Sequence, residues 1–536
     1  MSLSPVASRG AAYSTSDRAP AGENTPSRDF APIALGAAIV LVAAALYVRT
    51  LAPSVMPGDY AEFQMCAAVL GVPHPTGYPL YVLLGKLFTL LPVGDVAYRV
   101  NLSSAVYMAA AAGLLYALGA RLLRLAGLRD VWWASAVSAS LFVVAPTVWS
   151  MSLVARSYAL NALLVGAVVS CLVLWRQRQS TRWFYLSCLL IGLSMVHHGT
   201  TYLLLPSYAL YLLVIEVELR KAGMEARPIG RWAKGVLSLL AGLSPMLFLV
   251  YRFLGGSPYY WGNPTTWKDF FNLLTGGPFH NQVMGFGWNS QLERVAFGIG
   301  ELSGQYTPVG IGLGLLGLAV LWRASRPEAL LLVLMLVGNF LFAMNYSLVG
   351  YLYFIPTYLV WGLFMCVGAG WLLHGTRRLL VGRYTSPTIR IAGVAAGLIF
   401  GLVVLYIGAL RLPGIDQSGQ TGVRDEALAL LSSAPKNASL YLDWEDLSVV
   451  RFYRMVYGMR PDVTLHSGDP ATWAKLVYCD AGAGITSFVG EFAGAIPPVI
   501  QRDFELAEAP MGRRVVSVKN SRRYEIPPCG TCATCR

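Results

Sequence analysis

The sequence predicts a mainly α-helical, multi-pass membrane protein with a small extracytoplasmic α/β domain at its C-terminal end. Of the 536 residues, 55% are hydrophobic and 13% are charged, whereas a typical soluble domain has about 25% charged residues. The mean hydropathy is +0.54. This composition excludes a disordered chain and argues against a soluble protein of one or several domains. The positions of the few charged residues are therefore informative.

Long apolar runs recur through the first three quarters of the chain. About 20 apolar residues are enough to cross the roughly 30 Å of hydrocarbon in a bilayer. The first run is too long for the core of a signal peptide, so we expect a retained span. The polar residues before it, 1–30, are predicted to form a disordered cytoplasmic tail. About eleven spans are predicted, at 31–51, 100–120, 131–150, 158–175, 183–196, 201–215, 235–254, 306–322, 329–345, 352–373 and 391–411.

The basic residues predict the orientation of these spans. A net charge of +13 and a pI of about 9.3 could indicate a nucleic-acid partner in a soluble protein. Here, however, 20 of the 41 Lys and Arg residues lie in the tail and on alternate connections, which the positive-inside rule places in the cytoplasm. We therefore expect no nucleic acid, and a cell (inner) membrane location if the protein is bacterial. The segments predicted to be extracytoplasmic are 52–98, 255–304 and 412–536.

Two features refine this topology. Basic clusters flank 183–215 on both sides, which predicts two spans with an outer turn at 197–200. The apolar stretch 79–91 is too short for a span, so we expect an interfacial or re-entrant helix there.

The residues after 411 are richer in charge, and we treat 412–536 as a domain distinct from the transmembrane domain, 31–411. Segments 438–442 and 463–466 are predicted strands, and 445–457 between them is a predicted helix. Asp443 and Asp446 follow the first strand, where a site or, with greater weight, a helix cap is expected. Near the end of the chain, Cys529, Cys532 and Cys535 could bind a metal or form a disulfide.

Candidate catalytic groups are few, because six carboxylates lie in the outer loops of the membrane part. Asp59 and Glu62 are one helical turn apart and would share a face of a helix. Such a pair can hold a divalent cation or provide a general base, although solvated loop acids would show the same spacing. Arg99 and Asn101 lie where a span meets the outer interface, and an Arg there suits a lipid phosphate or a plain interfacial anchor. The six acids are Asp59, Glu62, Asp95, Asp269, Glu293 and Glu301.

Three motifs in 58–104 resemble the signature of a membrane family long labelled a domain of unknown function, which includes the eukaryotic transmembrane protein O-mannosyltransferase. Weaker similarity continues at 147–161, 197–198, 260–264, 345–346 and 354–356, so that the resemblance covers roughly 30–465. The three motifs are Asp59-Tyr-Ala-Glu62-Phe63, His74-Pro-Thr-Gly-Tyr-Pro-Leu-Tyr81 and Arg99-Val-Asn101-Leu-Ser-Ser104-Ala.

The resemblance implies a GT-C type glycosyltransferase that uses a polyprenyl-phosphate sugar donor, with mannose or a similar hexose as the sugar, and an extracytoplasmic protein or glycan acceptor. It implies that Asp59 is the base of an inverting transfer, with Glu62 as its partner, and that the pair could hold Mg²⁺ or Mn²⁺. The residues then expected to bind the donor phosphate or the substrate are His74, Tyr78, Arg99, Asn101, His197 and His198.

Two positions depart from the family pattern. Arg156 stands where the family commonly has Glu, and Glu301 or Asp269 could compensate for this charge reversal. The acid expected after Asn345-Tyr346 is also absent. A transporter, a lipid-linked-sugar flippase and a non-catalytic assembly factor are the alternative functions. The lack of an internal repeat and the position of nearly all charges at span ends argue against a transporter.

Overall fold

The structure, a computed structural model, describes most of the chain. The described residues are 30–223, 228–348, 350–381, 384–491, 494–509 and 512–521. Two predictions lie outside them: the disordered tail up to residue 29, and the metal or disulfide role of Cys529, Cys532 and Cys535.

In the described part of the chain, sixteen α-helices form the membrane part and its loops, with four short 3₁₀ helices at Arg129–Val131, Gly277–Gln282, Trp288–Ser290 and Gly350–Phe354. The helices are α1 Ala31–Arg49, α2 Asp59–Val69, α3 Pro79–Thr89, α4 Val96–Leu125, α5 Ala134–Val143, α6 Pro146–Ser150, α7 Ser157–Arg178, α8 Thr181–His197, α9 Thr201–Lys221, α10 Pro228–Gly242, α11 Met246–Gly255, α12 Trp267–Leu274, α13 Gln291–Ala324, α14 Arg326–Asn345, α15 Ile355–Val381 and α16 Ser386–Ile415.

Fewer helices than predicted are long enough to cross a membrane. Among the described residues, eight are long and apolar enough, or nine if α10 and α11, which meet at a 44° bend, form one span. The predicted span 131–150 contains two separate helices, α5 and α6, because Pro146 starts a new helix after the extended residue Ala145. The predicted span 183–196 is the 17-residue α8. The multi-pass helical architecture is thus confirmed, and eleven complete spans are not.

The two segments used to refine the topology form a short helix and a turn. Residues 79–89 form the 11-residue helix α3, and residues 198–200 separate α8 from α9. The interfacial position of α3 and the outer side of the turn stay predictions. Asp95 directly precedes α4, and its carboxylate accepts the amide of Tyr98 at 2.7 Å. This carboxylate is therefore a helix cap, and so is that of Asp269, which forms a capping box with Thr266 at the start of α12.

Among the described residues, the C-terminal part consists of a mixed five-stranded sheet with helices. Its elements are α17 Gly422–Ser433, β1 Ser439–Tyr441, α18 Trp444–Tyr457, β2 Thr464–His466, α19 Pro470–Gly482, β3 Ser487–Gly490, α20 Pro498–Asp503, β4 Phe504–Ala509 and β5 Gly512–Ser521. The strand order is β2-β1-β3-β5-β4, in which β1 runs parallel to β2 and β3, and β5 runs antiparallel to β3 and β4. The predicted strand–helix–strand unit is present as β1, α18 and β2, and Asp443 caps α18.

Two hydrophobic clusters organise the molecule around the loop 52–98. The larger one joins the membrane helices and includes Phe63, Tyr78 and Tyr81 from that loop. The second joins α2, α3 and α4 to the C-terminal part, through residues such as Ala61 and Met65 on one side and Leu447 and Val450 on the other. Helix α2, which carries the predicted acids, is therefore held between the membrane helices and the sheet domain.

Candidate active site

Helix α2 brings the two predicted carboxylates together. It begins at Asp59, directly after Gly58, which has a positive φ of 62°. Glu62 follows one turn later and is 1% exposed, while Asp59 is half-buried. Ligand atoms of Asp59, Glu62 and His74 all lie within 4.8 Å of one another. The sequence motifs DYAEF and HPTGYPLY, ten residues apart, thus meet at one point.

Glu62 is fully engaged by hydrogen bonds. One carboxylate oxygen accepts the Tyr259 hydroxyl at 2.8 Å and the backbone amide of His74 at 3.2 Å. The other oxygen lies 2.5 Å from His74 Nδ1. A buried carboxylate with three donors is well satisfied and rigid, so its geometry suits orienting His74 better than taking up a proton from solvent.

Asp59 is held through both of its oxygens. Arg156 Nη1 donates to Oδ2 at 2.6 Å, and Trp444 Nε1 donates to Oδ1 at 2.9 Å. Arg156 also lies over the Tyr60 ring, 4.8 Å from its centroid. The interpretation that Glu301 or Asp269 compensates for Arg156 is therefore wrong: the partner of Arg156 is Asp59 itself.

These contacts set the charges of the cluster. Burial raises the pKa of Asp59, but the positive charges of His74 and Arg156 and the hydrogen bonds from Trp444 and Arg156 outweigh it, leaving the pKa below its usual range. Burial lowers the pKa of His74, but the carboxylates of Glu62 and Asp59 outweigh it and raise the pKa. Asp59 is therefore an anion near neutral pH, and protonation of His74 is favoured.

A cavity of about 290 Å³ opens beside Asp59. Its polar groups are Asp59, His74, Arg156 and Ser157, and the remaining wall is mainly aromatic. Aromatic faces suit sugar rings, and charged groups at one end can orient a ligand. The aromatic and apolar lining residues are Pro75, Tyr78, Tyr158, Trp261, Phe279, Tyr346, Leu348, Tyr353 and Trp444.

Three further predicted residues lie at or behind this wall. Tyr78 lines the cavity with a left-handed backbone (φ 41°). His198 is buried behind Tyr78, Tyr158 and Tyr353 and bonds Thr200 through Nδ1 at 2.9 Å. Burial, followed by the electrostatic effects of His197 and His74, lowers the pKa of His198 to about 3, which favours its neutral form. His197 bonds the Ser157 carbonyl at 2.9 Å, at the start of α7.

Arg99 and Asn101 are placed elsewhere than predicted. The Arg99 guanidinium donates to three backbone carbonyls at the end of α3, those of Thr89, Val93 and Gly94. The side chain of Asn101 is fully buried and bonds the backbone of Ala52, Ser54 and Ala155 and the side chain of Gln64. Neither residue lines the cavity. The structure therefore gives both a role in building the outer loop, and their predicted phosphate contact has no support in it.

Several residues that line the cavity were not predicted from the sequence. Trp444 is the main one, since it lies 385 residues from Asp59. The signal that could have found it is its position at the end of a predicted strand, between Asp443 and Asp446. Trp261 and Tyr346 lie in stretches that resemble the family, whereas Phe279 has no comparable signal.

The fold is that of GT-C type glycosyltransferases. ArnT from Cupriavidus metallidurans, bound to undecaprenyl phosphate, superposes with a TM-score of 0.54 at 15% identity, covering 91% of this chain and 98% of ArnT. The oligosaccharyltransferase AglB from Archaeoglobus fulgidus, in complex with an inhibitory peptide and a dolichol-phosphate, has a TM-score of 0.52 at 12% identity, covering 91% and 74% of the two chains. These likenesses confirm the predicted GT-C fold.

The predicted family resemblance is also confirmed. Residues 59–221 match the family described as Protein O-mannosyl-transferase TMEM260 N-terminal domain. The Mus musculus protein O-mannosyl-transferase TMEM260 is 31% identical over 44% of this chain and 32% of its own length. The Dictyostelium discoideum relative is 24% identical over 80% of this chain and 56% of its own length. The chain thus spans less than two thirds of either curated relative.

Proposed function

We propose that this protein transfers a hexose from a polyprenyl-phosphate donor to a hydroxyl group of an extracytoplasmic protein. Mannose is the hexose that we propose. The observation that carries the proposal is the aromatic cavity beside the anionic Asp59, with Arg156 and His74 at the same end. The names of the two relatives support mannose and a protein acceptor, and the lipid phosphates bound by ArnT and AglB support the donor.

The cavity groups suit a single displacement with inversion. The hydroxyl oxygen of the acceptor attacks the anomeric carbon of the donor sugar while Asp59 accepts the hydroxyl proton. The bond from the anomeric carbon to the phosphate oxygen breaks at the same time. The products are a glycoside and polyprenyl phosphate. Arg156 and protonated His74 stabilise the charge on the leaving phosphate. A phosphate near Arg156 also competes with Asp59 for the guanidinium, which makes the carboxylate a stronger base when the donor is bound.

The orientation belongs to the same proposal. The N-terminus is cytoplasmic, about eleven helical segments serve as spans, and the C-terminal part from about 412 is extracytoplasmic, because basic residues cluster on alternate connections. Residues 31–411 form the transmembrane domain, with the loop 52–98 as the catalytic loop. In a bacterium the membrane would be the inner membrane.

Cysteine labelling checks this orientation. In a background with Cys479, Cys529, Cys532 and Cys535 changed to Ser, we expect an impermeant maleimide to label Ser432→Cys in intact cells. Gln177→Cys, exposed on the predicted cytoplasmic side, should react only after permeabilisation. The reverse pattern would contradict the topology.

A transfer assay tests the function. Purified protein in lipid nanodiscs would receive polyprenyl-phosphate mannose and folded extracellular protein domains, with mass spectrometry of Ser and Thr residues as the readout. Mannosylated product is expected, and polyprenyl-phosphate glucose serves as the donor comparison. Movement of the donor across proteoliposomes without transfer would support the flippase instead. If the protein neither transfers the sugar nor moves the donor, the result favours a non-catalytic assembly factor.

A divalent cation is the one cofactor that we propose. Asp59, Glu62 and His74 offer two carboxylates and an imidazole, a donor set that suits Mn²⁺ better than Mg²⁺. The set fits an ion because its ligand atoms converge within 4.8 Å, although the Glu62–His74 hydrogen bond would have to open. A bound ion would require unprotonated His74 as its ligand, and the ion in place of the His74 proton would then supply charge stabilisation for the leaving phosphate.

Calorimetry checks the cation site. Titration of MnCl₂ into the wild-type protein is expected to show one site that Glu62→Gln and His74→Asn each weaken by at least about ten-fold, in the range for loss of a ligand partner. Glu293→Gln, an outer-loop acid outside the cluster, should bind Mn²⁺ as the wild type does. Transfer that is unchanged in EDTA, together with no binding heat, would exclude the cation.

A further inference from the structure

The first outer loop and the C-terminal domain share one hydrophobic cluster. Ala61, Met65 and Cys66 of α2 are buried in it together with Leu447 and Val450 of α18. Each of these five side chains is at most 1% exposed. A contact of this kind is the interior of one folding unit, whereas the interface between mobile domains is generally smaller and more polar. The helix that carries Asp59 is thus packed directly on the helix that begins at Trp444.

The backbone joins the same two helices at their N-terminal ends. The amide of Gly58 donates to the carbonyl of Glu445 at 3.2 Å. A Cβ atom at position 58 would collide with the Glu445 carboxylate, and the positive φ of Gly58 disfavours any other residue. The start of α2, and therefore Asp59, is positioned by the start of α18.

Trp444 completes this junction by reaching the reacting group. Its indole N–H donates to Asp59 Oδ1, while Arg156 occupies Oδ2. The two donors that hold the carboxylate come from distant parts of the chain: Arg156 directly precedes α7, and Trp444 is the first residue of α18. We propose that Trp444 is a positioning residue for Asp59, so that the C-terminal domain is a part of the active site; this rests on the proposed function.

Trp444 suits this role because its donor is neutral. Arg156 alone could pull Asp59 into a bidentate pair and leave no oxygen directed at the acceptor. The indole holds one oxygen without adding charge, and its ring remains part of the cavity wall. The charged and titratable groups that surround Asp59 are Arg156, His74, Glu62, Glu445, Tyr60, Tyr78, Tyr158 and Tyr346.

The decisive variant is Trp444→Phe, which keeps an aromatic ring and removes the N–H. We expect kcat for transfer to fall about ten-fold or more, the usual effect of losing a hydrogen bond to a charged group, while KM for the donor changes less than about three-fold. Trp444→His keeps a ring N–H and should recover part of kcat. Trp288→Phe, at an exposed outer-loop Trp, is the matched control and should behave as the wild type.

A second measurement separates positioning from folding. The measurement is a double-mutant cycle in which Tm of the full chain is the readout. Trp444→Phe should lower Tm in the wild-type background. It should have little further effect on Tm in the Asp59→Ala background, because the hydrogen bond between the two side chains is already lost there. Additive effects on Tm would overturn the contact. Equal kcat for the Phe and His variants, or a wild-type kcat for Trp444→Phe, would overturn the positioning role.

The outcomes also separate this inference from the proposed function. If the wild-type protein transfers no sugar, the proposed function fails, and the unfolding cycle still tests the Trp444–Asp59 contact. If the wild type is active and Trp444→Phe matches Trp288→Phe in kcat, the function stands and the inference fails.

Discussion

Replacing Asp59 by Asn is expected to lower kcat for sugar transfer by about 10²–10⁴-fold, the range for loss of a general base. The amide keeps the size of the side chain, and its oxygen can still accept the Trp444 N–H at 2.9 Å, but its NH₂ group faces Arg156 and cannot accept the guanidinium N–H. It cannot accept the acceptor's proton. The measurement is the rate of mannosyl transfer from polyprenyl-phosphate mannose at saturating donor, with donor binding measured separately.

The matched control is Asp425→Asn in the C-terminal domain. Asp425 also pairs with an arginine, Arg424, but its side chain is 56% exposed and far along the chain from the cavity. This variant should transfer sugar at the wild-type rate. A wild-type rate for Asp59→Asn would remove Asp59 from the role of base, and Glu62 would not replace it easily, because it is 1% exposed and does not line the cavity.

Replacing Arg156 by Glu is expected to have the second largest effect. The change restores the residue type of the family pattern, yet it places a carboxylate where a guanidinium now holds Asp59 at 2.6 Å. Breaking a buried ion pair costs about 3–5 kcal/mol, and the cost here should be smaller because 29% of the Asp59 side chain is exposed. We expect a lower Tm, a loss of transfer of at least about 100-fold, and weaker donor binding.

Two variants bracket this result. Arg156→Lys keeps the charge and loses the planar fork, so we expect an intermediate rate. Arg424→Glu breaks the exposed pair with Asp425 and should change stability by less than about 1 kcal/mol. If Arg156→Glu were as active as the wild type, the Arg156–Asp59 pair would not belong to the catalytic arrangement, and the family's acid would be functional in this chain.

Local spacing explains which parts of the site were predictable. Asp59 and Glu62 are one turn apart, so a helix places them together whatever the rest of the chain does. Span positions follow from apolar length, which the bilayer imposes on each segment separately. Arg99 and Asn101 were predicted at the donor phosphate because they lie near the interface in sequence. Their side chains instead satisfy backbone carbonyls of the loop, and such partners depend on how that loop folds.

The break at 131–150 has a similar cause. The run is apolar enough for a span, but Pro146 follows Ala145 in an extended conformation and the helix stops at Val143. Hydropathy measures the affinity of a segment for lipid and carries little information on where a proline divides it into separate helices.

The sequence alone determined the membrane class, the helical fold, the acidic motif in the first outer loop and the positions of β1, α18 and β2, because each depends on composition or on neighbours within a few residues. The tertiary structure decided which partners the acidic motif has. Arg156 pairs with Asp59, and Trp444 reaches the same carboxylate from 385 residues away. Such contacts arise when separate segments bury their apolar faces in one cluster, and sequence distance does not encode which polar groups then meet.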